Sequence, residues 1–312
     1  MNKNYTNKVI QGDAVTMLDN LDRNSIDLFL SDIPYGICLD DWDVLHANTN
    51  SALLGMSPAN QKAKNGFKRR GKPIRGWSSA DRNIAKEYQD WCSSWSVKIY
   101  PLMKEGASIF LFAGRRFLPR AIIALEDSGF ILRDILAWVK PCAHHRAQSL
   151  SNLLQKRNLP ELAQEWTGWR LGNLAPKFEP IAWLFKPYKR TIIDNVLDNR
   201  LGGMNVAACS VNGKSPTNIL EIGFLKGEKT LHEAQKPLEL IKYLIQLVTK
   251  EGQVVLDPFI GSGTTAVACT ILKRQYIGFE ISKEYCKIAE HRLQESKFDN
   301  SKPKRHEAYS LF

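Results

Sequence analysis

The sequence predicts an α/β fold: a doubly wound parallel sheet with helices on both faces. Three observations carry that expectation. Apolar runs of strand length alternate with segments of helical period, the pattern of parallel strands joined by crossover helices. A turn bearing two closely spaced glycines, Gly261 and Gly263, follows the apolar run 253–256. Four acids, Asp13, Asp32, Asp257 and Glu280, stand at or near the carboxyl end of a strand, where such sheets bind their ligands.

The elements follow in order. Residues 9–11 read as a short strand ending at Gly12 and Asp13, and a helical stretch covers 14–21. Residues 26–30 form a strand whose end carries Ser31 to Tyr35. A long insertion, 36–84, precedes a helix at 85–102. The strand 107–112 closes at Ala113 and Gly114, and a helix near 116–128 ends at Gly129, a residue suited to a left-handed cap. The strand 130–139 is stopped by Lys140 and Pro141, residues 142–177 read as irregular and basic, and 179–185 is another strand. Residues 188–230 are mixed and rich in Gly and Asn. Pro237 sits where a helix starts, and Leu238, Ile241, Ile245 and Val248 recur at helical spacing. Strands at 253–256 and 276–279 alternate with helices at 264–273 and 282–296. The expected organisation is one catalytic domain over 1–296 with insertions 36–84, 142–177 and 188–230, and a basic tail, 297–312.

With 312 residues, 44% of them hydrophobic, the chain can bury a sizeable core. Its net charge of +11 favours a polyanionic partner, nucleic acid first and an acidic membrane surface second. No apolar run approaches the roughly 18 residues of a membrane span, and no signal-peptide pattern opens the sequence. Six scattered cysteines form no CxxC pair, which argues against a zinc site or a disulfide framework and fits a reduced cytoplasm.

The segment Asp257, Pro258, Phe259, Ile260, Gly261, Ser262, Gly263, Thr264 is a strand-to-helix turn. Its glycines permit tight bending and close approach of backbone to a ligand. Glu280 lies 19 residues after Gly261, where a carboxylate can accept both hydroxyl hydrogens of a ribose. Gly261, Gly263 and Ala266 also satisfy the G-x-G-x-x-G/A dinucleotide pattern. An acid beside the glycines suits a ligand with an ammonium group and repels a pyrophosphate. S-adenosyl-L-methionine carries an ammonium and a sulfonium and no phosphate, so it is favoured over a dinucleotide.

Asp32, Ile33, Pro34 and Tyr35 form a second strand-ending turn. An exocyclic base amine is a poor nucleophile because its lone pair is delocalised into the ring. Two acceptors for its two hydrogens would aim that lone pair. Asp32 supplies a carboxylate oxygen and a backbone carbonyl of the turn supplies the other. Pro34 biases Ile33 toward an extended conformation, which aims the Ile33 carbonyl. Tyr35 can stack on the ring, a contact worth about 1–3 kcal/mol per base. In-line attack then needs mostly positioning, and no metal.

These residues resemble the amino-methylating DNA methyltransferases, which modify N6 of adenine or N4 of cytosine. Their hallmarks are (D/N/S)-P-P-(Y/F) and F-x-G-x-G, which read here Asp32-Ile33-Pro34-Tyr35 and Phe259-Ile260-Gly261-Ser262-Gly263. The catalytic motif precedes the cofactor motif, as in the permuted β arrangement. Gly12-Asp13, Phe178-Glu179-Pro180-Ile181, Gln235-Lys236-Pro237 and Tyr276 to Glu280 also match. The resemblance covers most of 8–35, 86–140 and 178–296, and implies a Rossmann-like S-adenosylmethionine-dependent methyltransferase sheet with inserted DNA-recognition segments. It implies that Asp13 faces the cofactor adenine, Glu280 the ribose, and Asp257 to Gly263 the methionine part, with Lys236 lining the same pocket. Asp32 with the Ile33 carbonyl would hold the target amine, and Tyr35 would stack on the flipped base. One departure stands out: Ile33 replaces the first proline, with a loss of rigidity. The leading acid favours adenine over cytosine within the family.

A base must leave the duplex to reach such a pocket, so the protein must grip double-stranded DNA through phosphates. The basic loop holding Lys62, Lys64, Lys68, Arg69, Arg70, Lys72 and Arg75 is the first expected contact, and His145 and Arg146 the second. A homodimer and a cognate restriction endonuclease are the partners the resemblance allows. The rival readings are cytosine N4 methylation, an RNA substrate, a dinucleotide-dependent oxidoreductase, and a catalytically impaired DNA-recognition subunit. The oxidoreductase leaves Asp32 to Tyr35 unexplained, and the intact Asp32, Tyr35, Gly261, Gly263 and Glu280 oppose an impaired site.

Overall fold

The computed structural model describes residues 4–35, 79–141, 143, 147–172, 174–210, 213–224 and 235–299. The basic loop Lys62 to Arg75, the pair His145 and Arg146, and the tail from 300 lie outside the described residues.

Ten strands are present among these: β1 (Lys8–Gln11), β2 (Ile26–Asp32), β3 (Met103–Phe112), β4 (Ile131–Val139), β5 (Gln148–Ser149), β6 (Arg170–Leu171), β7 (Phe178–Phe185), β8 (Ile219–Leu220), β9 (Val254–Asp257) and β10 (Gln275–Glu280). The helices are α1 (Ala14–Met17), α2 (Ser79–Leu102), α3 (Leu118–Asp127), α4 (Leu150–Gln155), α5 (Pro160–Glu165), α6 (Ile192–Asn199), α7 (Val206–Cys209), α8 (Leu238–Val248), α9 (Thr264–Ile271) and α10 (Lys283–Asp299). Eight strands make one sheet in the order β1-β10-β9-β2-β3-β7-β4-β8, while β5 and β6 pair separately.

Strands β2 and β3 are buried on both faces, which explains their unbroken apolar runs. Successive residues point opposite ways. Phe29, Ile109 and Leu111 join a core with α2 and α3, whereas Leu28, Leu30, Phe110 and Phe112 join a second core with α8 and α9. Helix α2 sends Tyr88, Cys92, Trp95 and Ile99 into the first core at helical spacing, and Trp95 stacks on Phe29 with ring centroids 5.7 Å apart. Gly129, with φ +104°, ends α3 in a Schellman motif: Phe130 N–H donates to the Leu125 carbonyl and Gly129 N–H to that of Glu126.

The expectation of a parallel sheet fails at one strand. Strand β7 runs antiparallel to both of its neighbours, β3 and β4. The physical reason is local: β4 and β7 are adjacent and joined at one end, so the chain folds back as a hairpin and needs no crossover helix. The connection is not irregular, as 142–177 had read. It holds α4, α5 and the β5–β6 ribbon, each too short for a periodicity window to register. Segment 188–230 likewise contains α6, whose capping box pairs Thr191 with Asp194, and the edge strand β8. Among the described residues no helix is long and apolar enough to cross a membrane.

One buried charge ties the sheet together. Asp27, 2% exposed, accepts from Lys104 Nζ at 2.6 Å on β3 and from Val254 N–H at 2.8 Å on β9. Asp27→Ala strands that donor and unpairs the lysine, so a loss of about 2–3 kcal/mol is expected. Urea denaturation checks it, and an unchanged midpoint would make the pair a bystander.

Candidate active site

The carboxyl edge of the sheet assembles two adjoining clusters of polar groups, the first and second pockets of the candidate site. The first is the glycine turn between β9 and α9. Asp257 is buried there, and its carboxylate builds the turn: Oδ1 accepts from Ser31 Oγ at 2.7 Å and Phe259 N–H at 3.2 Å, and Oδ2 from Thr265 Oγ at 2.6 Å. Burial pushes its carboxyl up to about 7, against the pull of the Thr265 and Ser31 hydroxyls. Arg292 of α10 braces the turn from outside, donating to the Ser262 carbonyl at 2.7 Å and to Thr264 Oγ at 3.0 Å.

The two glycines differ in kind. At Gly263 (φ +82°) a Cβ would lie 2.7 Å from that of Ala289, so the position is closed by packing. At Gly261 (φ +52°) a Cβ would meet nothing within 4 Å, so the turn faces open space there. Glu280 stands at its edge, its Oε2 accepting from Gly261 N–H at 2.9 Å and its Oε1 from Ser282 N–H at 2.8 Å. Burial raises its carboxyl above the ordinary range, against those backbone donors. Asp13 is exposed beside it: Gly12 N–H donates to the Glu280 carbonyl at 2.9 Å, and Asp13 caps α1 through the Thr16 N–H at 3.0 Å. The open space at Gly261, with one carboxylate at its rim and another beside it, fits a nucleoside-bearing group.

The second pocket lies one strand over. Ile33 N–H donates to the Phe112 carbonyl at 3.1 Å, and the Ile33 side chain is buried in the core. The Pro34 carbonyl is taken by the Tyr88 hydroxyl at 2.7 Å. Asp32 ends β2, with its Oδ2 held by Lys236 Nζ. Its Oδ1 is shielded from solvent and has no hydrogen-bond partner among the described residues. Burial raises the Asp32 carboxyl, and the Lys236 ammonium opposes that rise. Lys236 Nζ also donates to Tyr35 Oη at 3.2 Å and lies 3.8 Å from Glu179 Oε2. The Tyr35 side chain lies over Gly114, where an added Cβ would come within 3.5 Å of its ring. An unpartnered carboxylate oxygen beside a tight turn and an aromatic ring can accept hydrogen from a flat, amine-bearing ligand.

Ser31 joins the pockets, because its hydroxyl reaches Asp257 while the next residue is Asp32. Asp13, Asp32, Asp257, Glu280 and Lys236 therefore converge on one edge. Lys236, expected to line the cofactor pocket, has its ammonium on Asp32 and Tyr35.

Comparison with known proteins agrees with this arrangement. A family model described as DNA methylase, of the N6/N4 methyltransferase type, matches residues 26–291. The chain belongs to this family. It is an amino-methylating DNA methyltransferase. The type II methyltransferase M.HindIII of Haemophilus influenzae is 46% identical over 292 residues, covering 91% of this chain and 94% of that protein. The type II methyltransferase M.HpaI of Haemophilus parainfluenzae is 25% identical over 294 residues, covering 92% and 74%. Among solved structures, PvuII DNA methyltransferase, which is cytosine-N4-specific, shares the fold with a TM-score of 0.57 at 18% identity, covering 91% of this chain and 85% of that one. M1.HpyAVI in complex with S-adenosylmethionine does so with a TM-score of 0.54 at 22% identity, covering 92% and 98%.

Sequence reasoning missed Glu179 as a member of the site. The reversal of β7 puts that strand's first residues at the carboxyl edge, with Glu179 opposite Trp138 of β4. The available signal was an acid opening an otherwise apolar strand.

Asp257 gives a test by pH. Its native carboxyl titrates near 7 and an ordinary one near 3.8, so the fold holds an extra proton between those values. Its contribution to stability is present at low pH and lost as pH rises from about 4 to about 7. Asp257→Asn keeps the shape without that titration. The difference in urea midpoint between wild type and variant is expected to drift across this window and level off above it, whereas a pH-independent difference would mean an ordinary carboxyl.

Proposed function

We propose that the chain transfers the methyl group of S-adenosyl-L-methionine to N6 of an adenine flipped out of duplex DNA. The unpartnered Oδ1 of Asp32 carries this reading. It accepts one amine hydrogen, and the Ile33 carbonyl accepts the other, since the Pro34 carbonyl is already taken. Together they fix the nitrogen lone pair on the side opposite the two acceptors, and Tyr35 stacks on the ring. Bound S-adenosylmethionine supplies an electrophilic methyl group. Glu280 and Asp13 meet the ribose and adenine, and the glycine turn the methionine part. The open space at Gly261 supports this fit. The leading acid at Asp32 supports adenine, following the family tendency.

DNA contact falls to the insertions 36–84, 142–177 and 188–230, through Lys62, Lys64, Lys68, Arg69, Arg70, Lys72, Arg75, His145 and Arg146. A cytoplasmic role beside a cognate restriction endonuclease is part of this proposal.

The deciding experiment incubates the protein with tritium-methyl S-adenosylmethionine and unmethylated DNA, then identifies the labelled nucleoside. Label in N6-methyldeoxyadenosine is expected, and label in N4-methyldeoxycytidine would overturn the base assignment. Asp32→Ala should cost at least about 100-fold in turnover, as loss of a preorganised hydrogen-bond partner does, with cofactor affinity near normal. Gly261→Val should abolish calorimetric binding of S-adenosylmethionine, both by filling the open space and by straining a turn held at φ +52°, with a cooperative urea transition retained. Unchanged affinity would refute the cradle.

A further inference from the structure

Two acceptors for the amine leave Glu179 without a role, yet it touches the machinery. The Tyr35 hydroxyl donates to Glu179 Oε2 at 3.5 Å, and Lys236 Nζ lies 3.8 Å from the same oxygen. Lys140, just after β4, pairs with Glu179 Oε1. Carboxylates and ammoniums thus alternate from the recessed Asp32 through Lys236 and Glu179 to Lys140, whose side chain is 32% exposed. The Lys236 side chain is only 6% exposed, so its charge is answered almost wholly by protein groups.

An ammonium carries three donors and can straddle a carboxylate. Were Lys236 drawn toward Asp32 alone, it could cover Oδ1, the oxygen the amine needs. Glu179 and the Tyr35 hydroxyl pull it the other way. We propose that Glu179 is a positioning residue: it holds Lys236 and the Tyr35 hydroxyl so that Lys236 engages one oxygen of Asp32 and leaves the other open for the target amine. The proposal rests on the methyl-transfer reading and assigns the acid end of β7 a place in it.

Charge gives a second consequence. Asp32 is faced by the Lys236 cation, the Tyr35 hydroxyl, and the carboxyls of Glu179 and, behind Ser31, Asp257. The Glu179 anion opposes ionisation of Asp32, and burial of Glu179 is outweighed by Lys236 and Lys140, which keep it ionised. Removing that charge lets Asp32 ionise more readily, so the acid limb of the methylation rate moves to lower pH.

The test uses E179Q and E179D in the full chain, with single-turnover methylation measured across pH, cofactor affinity by calorimetry, and a crystal structure of E179Q. E179Q should lower the single-turnover rate about 10–100-fold through misplacement of the amine, with cofactor affinity within about twofold of wild type and the acid limb displaced downward. E179D should recover part of the rate, and the E179Q structure should show Lys236 astride both Asp32 oxygens. A wild-type rate and limb in E179Q would overturn the proposal, as would Lys236 remaining on one oxygen. A rate loss matched by lost cofactor affinity with an unmoved limb would also overturn it, since that is what general disruption produces. Wild-type protein that labels no DNA would defeat the methyl-transfer reading itself, and the position of Lys236 in E179Q would still decide for or against Glu179.

Discussion

The site depends on keeping carboxylates out of water without neutralising the surfaces they serve. Asp257 and Glu280 are buried and Asp32 is recessed, at the ends of three neighbouring strands. A desolvated carboxylate is stable only with donors at hand. The three receive different ones. Asp257 is wholly enclosed by two hydroxyls and a backbone N–H, and it shapes the turn. Glu280 takes one backbone N–H on each oxygen, from Gly261 and Ser282, and stands beside the open space at Gly261. Asp32 has a cation on one oxygen and nothing on the other. That gradation, from closed to half-open, gives three similar acids different surroundings, which is what the proposed roles of scaffold, cofactor contact and reaction group require.

Strand β7 contributes what a fully parallel sheet could not. Parallel strands bring their last residues to the active edge, whereas a reversed strand brings its first. Glu179 therefore enters beside Lys140, the residue just after β4, and the two lie close because β4 and β7 are paired in register. The same reversal sends the connection between them, with α4, α5 and the β5–β6 ribbon, out from the catalytic edge.

Long elements with one clear period were legible in the sequence, as were residues whose chemistry is local. The alternation of 26–30 and 107–112 with helical segments implied a two-faced sheet, and the glycine turn with Glu280 implied a cofactor site. Contacts between segments distant in sequence were not legible. No spacing rule links Lys236 to Asp32, some two hundred residues apart, or gives the direction of β7. The family pattern named Lys236 through its neighbours in sequence, whereas its hydrogen bond to Asp32 exists only in the folded chain. Helix α6 was legible in principle through its capping box and was lost among the glycines and asparagines around it.

The replacement of the first family proline by Ile33 shows how a local rule can be broken and answered by packing. Proline would have stiffened the turn through its ring. Isoleucine keeps an N–H, and that N–H donates to the Phe112 carbonyl, which a proline could not do. Its side chain sits in the core with Tyr88 and Trp95, and the Tyr88 hydroxyl holds the next carbonyl. A ladder hydrogen bond, a buried side chain and a fixed neighbouring carbonyl restrain the backbone from three directions. Tertiary contacts thus restrain the backbone at Ile33 where a ring would have restrained it by covalent geometry, so the departure in sequence is compatible with the proposed two-acceptor arrangement.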